Sequence, residues 1–146
     1  MATTASTRQR GAAVNVREML ETHPQPAAGD RDAIARCVEA CADCATACVI
    51  CADADLAEPD VADMVRCVRL DLDCADACVA TGRIAARQTE RDPEVLRFSV
   101  MACSAACRVC ADECERHADH HEHCRICAEV CRRCEEACDA LLERLP

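Results

Sequence analysis

Cysteine is the residue in this chain best placed to do chemistry, and its spacing is periodic. Cys37, Cys41, Cys44, Cys48 and Cys51 follow one another at alternating steps of four and three. Cys103, Cys107, Cys110 and Cys114 repeat the pattern, as do Cys124, Cys127, Cys131, Cys134 and Cys138; Cys67, Cys74 and Cys78 form a sparser set. Residues three and four apart share one face of a helix, and such alternating steps trace the seam that faces the axis of a bundle. The 17 thiols therefore point toward a shared interior. A single free cysteine usually behaves as a small buried hydrophobe. That reading fails for four matching seams, because Ala, Val or Leu would fill the same core without the risk of oxidation. A disulfide scaffold fits no better, since side chains at i and i+4 run roughly parallel and the count is odd.

Thiolates are soft ligands and select Cu(I), Zn(II) or iron–sulfur clusters. Structural zinc wants four ligands in a tetrahedron, commonly from pairs on turns, and clusters want loops that wrap around them. Straight helices offer CxxxC pairs, in which two sulfurs on one face pinch an ion in near-linear coordination. Seven occur: Cys37/Cys41, Cys44/Cys48, Cys74/Cys78, Cys103/Cys107, Cys110/Cys114, Cys127/Cys131 and Cys134/Cys138. Cu(I) accepts that geometry and Zn(II) does not. If each thiolate bridges two ions, capacity reaches roughly one Cu(I) per cysteine.

The seams need helices to carry them, and the start signals are present. Asp30 can cap a helix running to about residue 56. Pro59 fits the first turn of a second, with Asp60 and Asp63 near its positive end. Asp92 and Pro93 form a cap and first-turn pair for a third, and Asp119 with Glu122 resembles a capping box for a fourth that runs to about residue 145. A short amphipathic helix over about residues 13–22, with Val16, Met19, Leu20 and His23 at helical spacing, precedes Pro24 and Pro26 and is expected to lie across the bundle. No segment alternates with period two. The expectation is an all-α fold: an antiparallel four-helix bundle with a short extra N-terminal helix, residues 12–146 forming one domain behind a disordered tail of residues 1–11.

The two ends of such a bundle differ. One carries His117, His120, His121 and His123 with Met64 and Asp55. Extending the cysteine seams lands on His117 and His120, and Met64 lies three residues before Cys67, so these three are read as ligands at a mouth, with His121 and His123 facing solvent. The other end offers Ile34, Ile84, Leu96, Phe98, Val100, Met101, Leu141 and Leu145 as an apolar plug, with Met101 read as core and not as ligand. Asp71 lies between Cys67 and Cys74 at seam spacing. A carboxylate there is costly unless it is paired or binds metal, which leaves a copper ligand and a hydrogen-bonded structural role both open.

Composition narrows the function. With no Trp or Tyr and a single Phe, Phe98, the core is thin in aromatic filler and should gain stability from bound metal. A net charge of -10 argues against nucleic acid as a partner. No apolar run approaches the ~18 residues of a membrane span. Residues 1–11 have no apolar segment behind them, and Arg8 and Arg10 flank Gln9 instead of forming a twin-arginine pair, so the expected compartment is the reducing cytosol.

These features together resemble the bacterial copper storage proteins, in their cytosolic branch. The resemblance covers about residues 13–145 and rests on a short leading helix, four helices with inward CxxxC pairs, and a histidine group near the third turn. It implies Cu(I) storage in the bundle core, a homotetramer, and copper ions as partners, with a copper chaperone as a candidate for delivering them. The alternatives are an iron–sulfur electron carrier, which needs about four thiolates per cluster and leaves most seam positions unexplained, and a zinc or general soft-metal buffer. No nucleophile–base pair, phosphate loop or cofactor fingerprint points to an enzyme.

Overall fold

The computed structural model describes residues 14–25 and 29–146; the expected tail of residues 1–11 lies outside them. Among the described residues five helices follow in chain order: α1 (Val16–Glu21), α2 (Arg31–Ala57), α3 (Val61–Ala86), α4 (Pro93–His117) and α5 (Glu122–Arg144). The four long ones run antiparallel through short turns. α2 and α4 each pack against both α3 and α5, which closes a square around one interior. The short α1 packs on α2, burying Leu20 and pairing Arg17 with Asp32.

Two caps form as expected. The Asp30 side chain accepts from the backbone N–H groups of Asp32 and Ala33, and Asp92 from those of Glu94 and Val95, with Pro93 in the first turn. The other two starts differ. Pro59 and Asp60 remain in a turn, where Val61 N–H donates to the Glu58 carbonyl, so α3 begins at Val61 without a side-chain cap. The Asp119–Glu122 capping box is absent. The His117 carbonyl accepts from both His120 and His121 N–H groups, so the chain is still closing the end of α4 when it passes Asp119, and α5 starts after His121.

The cysteine seams face inward together with the few large apolar side chains. Ile34, Leu96, Val100 and Leu141 are fully buried at the closed end, and Ile84 and Leu145 are half-buried beside them. Phe98 and Met101 are exposed and are not part of the plug. The reason lies in the register: the inward line of α4 is Leu96, Val100, Cys103 and Cys107, and Phe98 and Met101 fall off it. Glycine serves one close approach. A Cβ on Gly82 would stand 3.3 Å from the Cys41 Cβ, so α3 meets α2 tightly at this level.

Candidate metal centre

Every cysteine is a free thiol, and each is at most 1% exposed. Antiparallel packing stacks the four seams, and the closest thiols belong to different helices. Cys48 lies 3.6 Å from Cys131, Cys78 lies 3.6 Å from Cys103, and Cys67 lies 3.7 Å from Cys114. Cys37 meets Cys138 at 3.9 Å next to the apolar end. Of the seven CxxxC pairs, Cys44/Cys48 also comes within 3.9 Å.

The sulfurs gather into groups of four. Among them, from the closed end upward, are Cys41, Cys103, Cys134 and Cys138; then Cys44, Cys78, Cys107 and Cys134; then Cys44, Cys48, Cys74 and Cys131; then Cys48, Cys110, Cys127 and Cys131. Within each, the ligand atoms lie within 4.8 Å of one another. Another group substitutes a carboxylate: Cys51, Asp71, Cys114 and Cys127.

So many thiols packed together in a buried interior cannot ionise alike. Contacts with Cys107, Cys131 and Cys134 favour a thiolate at Cys44 and push its pKa down, whereas contacts with Cys103, Cys107 and Cys134 hold Cys78 up. A bound cation relieves the conflict by taking the place of the shared protons.

Asp71 is fully buried on α3. Its Oδ1 accepts from Cys110 at 3.0 Å, from Cys127 at 3.4 Å and from Cys114 at 3.5 Å. Burial, followed by the charge of a Cys127 thiolate, pushes its carboxyl up to about 8. The hydrogen-bonded role is therefore present, and the same oxygens lie within reach of an ion shared with Cys51, Cys114 and Cys127.

Beyond Asp71 the seams end among polar side chains. Asp55 is fully buried four residues beyond Cys51, which continues the seam of α2. Its Oδ1 accepts from Cys124 at 3.4 Å, while its Oδ2 has no partner. An orphaned buried acceptor calls for a proton or a cation, and burial with the nearby Cys67 pushes this carboxyl up to about 7. His123 reaches in from the first turn of α5, with Nδ1 3.5 Å from Cys51 Sγ and 3.6 Å from Cys124 Sγ. Met64 is fully buried at this end. His117 Nε2 is 3.2 Å from Glu113 Oε1, and Glu113 in turn meets Arg66 and Arg116.

The histidines thus sort differently from the expectation. His120 is exposed and stands outside the group, and His123, expected in solvent, meets the thiols. Counting back four residues from Cys124 reaches His120 only if the helix extends that far, and α5 begins at Glu122. Asp55 and His123 are the residues that spacing did not nominate. The step of four from Cys51 was the available signal for Asp55.

The profile of the copper storage protein family matches residues 30–143. The chain belongs to that family. Among solved structures, the Streptomyces lividans copper storage protein Ccsp, loaded with 10 copper equivalents, is 53% identical; the alignment covers 89% of this chain and 99% of that one, with a TM-score of 0.88. A structure of copper loading to a cytosolic copper storage protein from the same organism, with five coppers, is 54% identical, covering 79% of this chain and 96% of that one at a TM-score of 0.78. Comparison with curated proteins gives no match. The region matched by the copper storage family begins at the Asp30 cap and ends one residue before Arg144, and so contains every cysteine, both buried aspartates and the whole histidine group. No helix among the described residues is long and apolar enough to cross a membrane.

Proposed function

We propose that this chain stores Cu(I) in the cytosol as cargo, held by thiolates inside the bundle, and performs no catalysis on it. The interlocking of the thiol groups carries the reading. Cys44, Cys48, Cys127, Cys131 and Cys134 each belong to at least two of these groups, so the groups cannot all be filled by ions with private ligands. Thiolates that bridge neighbouring ions fill such an array, and soft Cu(I), satisfied by few ligands, suits it. Tetrahedral zinc and iron–sulfur clusters want about four thiolates of their own and leave part of the array idle. The copper-loaded and cytosolic Streptomyces proteins of the same family support both the metal and the compartment.

Copper passes through the polar end, where His123 meets Cys51 and Cys124, Asp55 meets Cys124, and Met64 lies buried; the aliphatic end is blind. A copper chaperone presenting Cu(I) at that end is the fitting donor. Assembly as a homotetramer is supported by the outer face of α3, where Val61, Val65, Leu72 and Val79 stay exposed in a row at helical spacing; light scattering in solution tests it.

The deciding experiment is an anaerobic titration of the fully reduced protein with Cu(I) against a competing chelator. Saturation near one ion per cysteine is expected. Saturation at a few ions, or visible iron absorption in the protein as isolated, overturns the reading.

A further inference from the structure

Outside the thiol core, α2 ends on a second set of metal-ligating side chains. Glu58 Oε1 lies 2.9 Å from His123 Nε2 and 3.2 Å from His121 Nδ1, so two imidazoles face one carboxylate oxygen. The far nitrogen of each ring meets another carboxylate: His121 Nε2 is 3.1 Å from Asp60 Oδ2, and His123 Nδ1 is 3.6 Å from Asp55 Oδ1. The ring centroids are 5.5 Å apart, and the side chains are only 10% and 23% exposed, so both are positioned before a ligand arrives. Glu58 is the C-cap of α2, and the last turn of that helix carries no basic residue. The partial negative charge of the helix end is thus left free to favour a cation.

We propose that Glu58, His121 and His123 form a site for one borderline divalent cation, of the zinc(II) or cobalt(II) class, outside the copper store. Imidazole and carboxylate donors suit such ions, and the set lacks the sulfur that selects Cu(I). The cation takes the place of the proton that each near nitrogen shares with Glu58. The remaining ring protons then sit on His121 Nε2 and His123 Nδ1, facing Asp60 and Asp55. This is the carboxylate–histidine–metal arrangement that fixes ring orientation at bound metals. With its proton on Nδ1, His123 no longer offers a lone pair to the level of Cys51 and Cys124, so an outer cation withdraws one nitrogen from the mouth. That last consequence rests on the copper reading; the site itself does not.

The test uses the Cu(I)-loaded protein, whose thiols are occupied, titrated anaerobically with Co(II). About one Co(II) per chain is expected, with the weak d–d absorption of nitrogen and oxygen ligation and no sulfur-to-cobalt charge transfer. Glu58→Gln and His121→Ala should each weaken Co(II) binding at least about tenfold, with the Cu(I) content unchanged. Retention by the unaltered protein no better than by the Glu58→Gln/His121→Ala double variant overturns the site, and so does an intense sulfur-to-cobalt band. Should Cu(I) fail to load, which counts against the storage reading alone, the same spectra of the unloaded protein separate nitrogen-bound from sulfur-bound Co(II) and decide the outer site.

Discussion

Cys110 donates to Asp71 Oδ1 at 3.0 Å, with Cys114 and Cys127 converging on the same oxygen. One carboxylate therefore organises three thiols from two helices just below the mouth. Asp71→Asn keeps the volume and removes the charge. The ions bound at this level should be held less tightly by about 1.5–3 kcal/mol, roughly tenfold to a hundredfold in affinity. Total capacity is set by the 17 thiols and should not change. Chelator competition at low and at full loading measures the two quantities separately; an unaltered affinity would show that Asp71 only satisfies the thiol protons.

Asp55 and Asp71 also give the metal-free fold a pH dependence. In the unfolded chain both carboxyls release their protons near the ordinary 3.8; in the bundle they hold them up to about 7 and about 8. Between those limits the folded state binds more protons than the unfolded one, so stability is fullest at the acid side and falls as pH rises through the folded values. The thermal midpoint of the reduced, metal-free protein should drop between roughly pH 5 and pH 8, and the Asp55→Asn/Asp71→Asn double variant should flatten the slope. A midpoint that climbs over this range would contradict the assignment.

Much of this was legible in the residues themselves. Asp30, Asp92 and Pro93 announce their helices because capping is local, and the four-three steps of cysteine announce the inward face because helical period is local too. What spacing does not contain is the rotation and height of one helix against its neighbour. CxxxC pairs on single helices were visible, while the groups that join Cys44 to Cys78, Cys107 and Cys134 from the other three helices were not. The same limit misplaced His120 and His123, whose positions depend on where α5 begins, and a His117 carbonyl bonded to two successive N–H groups decided that.

The mouth assignment leads to a kinetic contrast between two neighbouring histidines. His123 Nδ1 touches Cys51 and Cys124, while His120 is exposed. His123→Ala should slow Cu(I) transfer to or from a chelator severalfold, at unchanged capacity, whereas His120→Ala should leave the rate as it was. Stopped-flow transfer under anaerobic conditions reads both. Equal effects from the two substitutions would place the path elsewhere.

The blind end is held by volume and not by ligands. Leu141 is fully buried with Ile34, Leu96 and Val100, and few large side chains are available to close over a hole in so cysteine-rich a core. Leu141→Ala should destabilise the metal-free protein by about 2–5 kcal/mol. The rate of copper transfer at the opposite end should be unaffected. Urea unfolding measures the first quantity, and a faster transfer would reveal a second opening.

Gly82 joins packing to metal capacity. Its missing side chain lets α3 approach α2 until a Cβ there would stand 3.3 Å from the Cys41 Cβ. A single methyl asks for a shift of a few tenths of an ångström, and its strain competes with the ~1 kcal/mol by which alanine favours a helix over glycine. A branched side chain has no such compensation, since it adds bulk against a helix that is itself packed on α5. Gly82→Val should therefore cost about 1–3 kcal/mol in the metal-free protein. Its second effect is more specific. Cys41 shares a group with Cys103, Cys134 and Cys138 next to the plug, so displacing it spreads those four sulfurs and should remove the copper bound at the closed end, leaving the levels near Asp71 filled. Crystallographic copper occupancies of the loaded variant test this directly: a uniform loss along the bundle would mean general loosening, and a loss confined to the level of Cys41 would show that this glycine sets the spacing of the innermost ligands.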